Sequence, residues 1–404
     1  MRRTEELDLT KRALRGRDLV VFSNDWDGDP LSKTHIMRIL SKENRILWVN
    51  SIGNRAPKAN AHDLKRIWRK LTTFTQGVRQ GATEVEPNLF VLAPLAIPLY
   101  GSNAVRAANK VLLRAQVMRA MRSLGFQRAL SWSFLPASAA VSGTLGEELV
   151  VYHCVDEFSA FNDTNGQQIA ALERLLLKRA DLVITSAERL YENKRAQNAN
   201  TALVRHGVDF EHFVKACDAA TEVPEEIARL PRPIIGFFGL LAEWVDQDAL
   251  IACAKAYPQG SVVVVGKTMP DVDPTRLRAL PNVHLLGRKP YAALPGYCKA
   301  FDVALNPFKV NELTLNANPL KVREYLAAGL PVISSDLPEV RQLGLCRIAR
   351  SSEDFVAQVR ACLEEGGGPR RERAERIVRE GWGARVDELR QHVGETMLRL
   401  GKEL

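Results

Sequence analysis

Apolar residues along this chain come in short runs bounded by turn residues, and longer stretches of helical periodicity lie between the runs. The runs DLVVFS (18–23), RILWVN (45–50), LFVLA (89–93), ALSWS (129–133), ELVVYHCV (148–155), DLVITS (181–186) and TALVRH (201–206) read as buried strands. Strands covered by helices on both sides of a parallel sheet have this pattern. The clearest amphipathic segment, QQIAALERLLLKRA (167–180), sets Ile169, Leu172, Leu176 and Ala180 on one face. A stretch richer in acids and prolines (206–233) interrupts the alternation. It restarts with PIIGFFG (233–239), SVVVVG (261–266), VHLLG (283–287), FDVALNP (301–307), PVISS (331–335) and CRIAR (346–350). The expectation is an α/β protein of two doubly wound parallel sheets. The first domain would span 1–207 and the second 233–370. A linker at 208–232 would join them, and a charged helix at 371–404 would follow.

In open parallel sheets, ligands bind outside the carboxyl ends of the strands. Two facing domains therefore predict a site in the cleft between them. The loops SNDWDGDP, CVDEFS, FGLLAEW and NPFKVNELTLNANP would converge there.

One stretch, NANPLKVREYLAAGLPVISSDLPEV (316–340), carries the most local information. Asn318 suits an N-cap and Pro319 the first helical position. Gly329 fits the left-handed position after the last turn, and Pro331 blocks continuation. The segment thus reads loop–helix–strand, with Lys321 beside a helix start whose free N–H groups attract anions, phosphate above all. Glu324, further along, suits sugar hydroxyls. The same spacing also fits an ordinary capped helix with a surface Lys–Glu pair.

Composition narrows the function classes. The 404 residues are 46% hydrophobic and 25% charged, as in globular proteins, and the net charge of +9 favours an anionic partner. Six scattered cysteines without a CxxC pair read as reduced thiols in the cytoplasm, not a zinc site. The N-terminal stretch lacks the apolar core of a signal peptide. The longest apolar run, LFVLAPLAIPLY (89–100), is too short to span a bilayer and is broken by prolines. From Pro87 to Gly146 there is no Asp or Glu, and LKRIWRKL (64–71) adds four bases and a Trp. Basic amphipathic segments of this kind predict a peripheral contact with an anionic membrane surface, at the inner face for a cytoplasmic protein. A solvated basic face fits equally well. No nucleic-acid-binding pattern accompanies the charge.

Other candidates each have a plain alternative. VVVVGKT (262–268) lacks the first glycine of a phosphate-binding P-loop, because Ser261 stands there. Gly239 ends a strand where a phosphate could approach the backbone, or simply closes a turn. Asp156, at the carboxyl end of a buried strand, is preferred over His153 as a catalytic or acceptor-binding group, and Glu157 is read as solvated. Asp25, Trp26 and Asp27 could hold an acceptor sugar, the Trp as stacking face, or form an Asx-rich turn.

The segment 318–340 resembles the donor-binding region of GT-B glycosyltransferases of family 4 (group 1). RADLVITSAERLYENKR, HGVDFEHF and GFFGLLAEWVDQDAL are similar to that family in the same order, over roughly residues 18–365. The resemblance implies two Rossmann-like domains with the site in the cleft and a C-terminal helix that crosses back. It implies sugar transfer from a nucleotide diphosphate sugar, UDP- or GDP-linked, with retention and no required metal or other cofactor. The acceptor would be a saccharide or a lipid-linked one, in cell-surface polysaccharide synthesis. Glu324 matches the second Glu of the family's E-x7-E motif, which holds the ribose. The backbone over Asn318, Pro319, Leu320 and Lys321 matches the diphosphate-binding helix start, and Gly239 the glycine turn. Asp156 lies near the family's catalytic position. Two departures stand out. The first motif Glu falls at Asn316, and the cations usual after the glycine turn are replaced by apolar residues, leaving Lys321 and Lys309 as the candidate phosphate partners. An NDP-sugar epimerase, a glycosyl phosphorylase or a catalytically weak scaffold on the same fold are the rivals.

Overall fold

The computed structural model describes residues 13–51, 81–96, 103–161 and 166–403. The chain divides into two compact units, residues 1–204 with 386–404, and residues 205–385.

The first unit is built on eight strands: β1 (Asp18–Phe22), β2 (Arg45–Val49), β3 (Thr83–Glu86), β4 (Leu89–Leu92), β5 (Leu130–Ser133), β6 (Leu149–Cys154), β7 (Leu182–Thr185) and β8 (Thr201–Leu203). Their order is β3-β4-β2-β1-β5-β6-β7-β8, parallel throughout except for antiparallel β3 against β4. Every apolar run of the first half forms a strand. β3 was not expected, because its TEVE sequence is mostly exposed and serves only as a short, charged edge. The helix Gly166–Arg179 buries Ile169, Leu176 and Leu177, close to the stripe its sequence prescribes.

The second unit has six strands: β9 (Ile234–Phe238), β10 (Ser261–Val265), β11 (Val283–Gly287), β12 (Val303–Asn306), β13 (Val332–Ser335) and β14 (Arg347–Ala349). They run parallel in the order β11-β10-β9-β12-β13-β14. Gly236 in central β9 is dictated by packing, since a Cβ there would sit 2.2 Å from the Phe301 ring. Residues 208–232 are more than a linker. They carry the short helices Phe210–Phe213 and Glu225–Ala228, whose Phe213 and Ile227 are fully buried in the second unit's core. Acidic and proline-rich composition hid these anchors.

The helix Trp382–Arg399 closes the chain, and from Val386 onward its residues belong to the first unit. Val386, Leu389, Val393 and Met397 form its buried stripe at three- and four-residue spacing. Arg390 pairs with Glu43, and Asn200 donates to Thr396 Oγ1 at 3.2 Å.

Candidate functional site

In the second unit the notable chemistry gathers where β9 and β12 end and the helix Leu320–Ala327 begins. Gly239 directly follows β9, with φ of +126°, a conformation that residues with a side chain rarely adopt. A Cβ on Gly239 would lie 2.8 Å from both Cε and Nζ of Lys321. The glycine therefore makes room for the lysine. The Lys321 ammonium sits over the rings of Phe237 and Phe308, 4.8 and 4.6 Å from their centroids. Burial pushes its pKa down to about 8, with Glu324 one turn away pulling the other way. Burial likewise pushes Glu324 up to about 7, opposed by Lys321 and aided by Asp209. The two groups are thus poised near neutrality. Tyr325, fully buried on the same helix, accepts the N–H of Phe238 at 2.7 Å and so ties the end of β9 to the helix.

The helix start differs from the sequence expectation in one respect. Pro319, with ψ of 112°, is the cap, and Leu320 is the first helical residue. Asn318 does not cap. Its side-chain oxygen accepts from Arg323 Nη1, and its backbone carbonyl accepts from His206 Nδ1 at 2.9 Å. Arg323, five residues further on, outcompeted the cap, because it is 2% exposed and needs acceptors. Since a carbonyl can only accept, His206 carries its proton on Nδ1. Burial and the neighbouring Arg323 hold its pKa down at about 3, so the ring is neutral. His206 and Arg323 thus brace the loop from behind. Sequence reasoning missed both, although an Arg two residues after Lys321 in an apolar stripe was a usable signal. The leading N–H groups of the helix, at Leu320 and Lys321, are those an α-helix leaves without an intrahelical partner.

The other donor candidates are more loosely placed. Asn316 is fully buried, and its amide donates to the carbonyl and carboxylate of Glu312 at 2.7 and 2.8 Å. Lys309 has its backbone N–H tied to Trp244 O at 2.8 Å, and its side chain is exposed.

In the first unit, Asp156 follows β6. Burial pushes its carboxyl up to about 6, restrained by Lys33. Glu157 is not solvated. It accepts from Lys194 Nζ at 2.8 Å and from Ser159 Oγ, and these bonds hold its pKa below normal although burial pushes it up. Lys194 also reaches Glu173, which accepts the Tyr152 hydroxyl at 2.6 Å. This inward network anchors the Asp156 loop. His153 is a core residue, 1% exposed and stacked on Phe134 at 4.9 Å. Asp25 and Asp27 are exposed in the loop after β1. Trp26 packs edge-on against Trp48 at 4.9 Å with the Arg38 guanidinium over its ring at 5.2 Å, so one face is already used. The basic segment 64–71 lies outside the described residues. The helix Asn103–Ser123 exposes Lys110 and Arg114 beside Val111, which is 69% exposed. Among the described residues no helix is long and apolar enough to cross a membrane.

Comparison with known proteins bears on this geometry. Residues 232–365 match the family model described as Glycosyl transferases group 1. HepE from Anabaena, solved in complex with UDP-glucose, superposes with a TM-score of 0.62 over 95% of this chain and 99% of its own, at 14% identity. The chain has the GT-B fold, and residues 232–365, within its second unit, match the group 1 glycosyl transferase model. An alpha,alpha-trehalose 6-phosphate synthase from Burkholderia multivorans aligns with a TM-score of 0.63 at 11% identity, covering 96% of this chain and 98% of that one. The Escherichia coli trehalose-6-phosphate protein bound with UDP-2-fluoro glucose gives 0.59 at 14% identity, covering 96% and 99%. In sequence, the "Putative teichuronic acid biosynthesis glycosyltransferase TuaH" of Bacillus subtilis is 25% identical over 264 residues, 60% of this chain. The match spans 65% of that relative's length. The matched residues 232–365 include Gly239, Lys309, Asn316, Lys321 and Glu324.

Proposed function

We propose that the protein is a glycosyltransferase that moves a sugar from a nucleoside diphosphate sugar to a hydroxyl of a saccharide or lipid-linked acceptor, in the assembly of a cell-surface polysaccharide. The single observation that carries this is the Gly239–Lys321–Glu324 arrangement at a helix start. It offers a half-buried cation and the leading helix N–H groups to a diphosphate, and a carboxylate one turn further on to a ribose. UDP is the favoured nucleotide, by analogy with the UDP-glucose and UDP-2-fluoro glucose complexes of the structural relatives. The polysaccharide context rests on the name of TuaH.

In this reading the bond between the sugar's anomeric carbon and the diphosphate oxygen breaks. The electron pair leaves on the phosphate, where Lys321 and the helix N–H groups meet the growing charge. The acceptor oxygen bonds to the anomeric carbon on the face the diphosphate leaves, so configuration is retained. The acceptor proton passes to the departing phosphate oxygen, while Asp156 orients the hydroxyl. No metal ion is called on. The exposed Val111 beside Lys110 and Arg114 suits an anionic membrane surface, and a cytoplasmic protein peripheral to it is the corresponding location.

The test is selective for the ribose. Wild-type protein should bind UDP more tightly than 2′-deoxy-UDP in calorimetry, and Glu324→Gln should abolish the difference while lowering UDP affinity about tenfold. Equal binding of UDP by both proteins would remove Glu324 from the donor site.

A further inference from the structure

Lys33 lies in the first turn of the helix Ser32–Leu40, only 7% exposed. Its Nζ donates to Asn24 Oδ1 at 2.8 Å. Asn24 is itself fixed, since its carbonyl accepts the indole N–H of buried Trp48 at 2.9 Å. A lysine ammonium has three N–H donors. The other two meet no acceptor among the described residues, a costly state for a buried cation. Asp156 follows β6, which lies two strands from β1 in the same parallel sheet, so both groups belong to the carboxyl edge of that sheet. The two charges feel each other, yet they form no direct ion pair, and the Asp156 carboxylate has no hydrogen-bond partner among the described residues. Ser23 Oγ, at the end of β1 and 1% exposed, is also without a partner among those residues.

An ammonium with spare donors and a carboxylate with spare acceptor positions, at the same edge of the sheet and not bonded to each other, match one ligand chemistry. A hydroxyl can accept from the first and donate to the second, and a neighbouring hydroxyl can engage Asn24 or Ser23. We propose that Lys33, Asn24 and Asp156 form the hydroxyl-binding pocket of the first unit, and that its ligand is the neutral, polyhydroxylated end of the acceptor saccharide. This rests on the transferase function proposed above. Lys33 holds Asp156 ionised near neutral pH and contacts the acceptor itself, so it is more than a structural lysine.

The experiment measures UDP or GDP release from a panel of UDP- and GDP-sugars, with free monosaccharides and disaccharides as acceptor probes. Nucleotide affinity is read separately by calorimetry. For the sugar that stimulates release most, Lys33→Met should raise the half-saturating acceptor concentration about tenfold or more. Nucleotide affinity should stay within about twofold, because the change lies outside the donor site. The acidic limb of the rate profile, set by Asp156, should move to higher pH in Lys33→Met and return in Lys33→Arg, which keeps the charge. A Lys33→Met enzyme with wild-type acceptor dependence and pH profile would overturn the pocket while leaving the transferase function standing. Loss of nucleotide binding in both Lys33 variants would make the residue structural and overturn it too. Wild-type protein that shows no sugar-stimulated release from any donor would sink the transferase function, and the pocket with it.

Discussion

Replacing Lys321 with methionine separates binding from stability. The unbranched apolar stem is kept, one heavy atom shorter, while the ammonium over Phe237 and Phe308 and its charge are lost. In the free protein that charge is a burden, because burial lowers the lysine pKa from 10.5 to about 8. At roughly 1.36 kcal/mol per pH unit this corresponds to at most about 3 kcal/mol of lost stability. A depressed lysine pKa means the cost is fully present below pH 8, where both folded and unfolded chains are protonated. It disappears as pH rises from about 8 to 10.5, where the unfolded chain alone keeps its proton. Lys321→Met should therefore be the more stable protein in urea unfolding at pH 7, with the advantage fading above pH 8. The loss appears in binding. A hydrogen bond to a charged group contributes about 1.5–3 kcal/mol, so UDP affinity by calorimetry should fall about ten- to hundredfold. A variant that is less stable at pH 7 and still binds UDP like wild type would refute the assignment of Lys321 to the phosphate.

The pH dependence of UDP affinity follows from the same pair. Glu324, raised to about 7, loses its acceptor charge as pH falls through that value, and Lys321 loses its proton as pH rises through about 8. Affinity should peak between about pH 7 and 8 and weaken on both sides, with only the alkaline flank missing in Lys321→Met; a flat profile in wild type would contradict this. Gly239→Ala would force a side chain into a backbone conformation at φ of +126° and a Cβ to 2.8 Å from the Lys321 ammonium. It should lower stability by about 1–3 kcal/mol and abolish measurable UDP binding, and a variant unchanged in both denaturation and calorimetry would show that the turn has room to spare.

Much of the fold was legible because buried parallel strands advertise themselves by composition alone. DLVVFS, ELVVYHCV, PIIGFFG and SVVVVG needed no knowledge of their neighbours to read as strands. β3 escaped because an edge strand with Thr and Glu pointing to water has no such mark. The loop–helix–strand at 318–335 was legible down to Gly329, whose φ of +75° is the left-handed turn expected there. The Asn318 cap failed because the side-chain oxygen that would have capped the helix is taken by the buried Arg323.

The sequence by itself determined the alternation of strands and helices, the polar loops at strand ends, and the placement of Lys321 and Glu324 one turn apart on a helix. These follow from local periodicity and backbone preference, which act over a few residues. Only the tertiary structure decided the surroundings that give those groups their chemistry. It set Phe237 and Phe308 beneath the Lys321 ammonium, His206 behind Asn318 across 112 positions, and Lys33 within reach of the field of Asp156. Burial and charge proximity depend on which distant segments the parallel sheets bring together, and no local pattern in the chain encodes that.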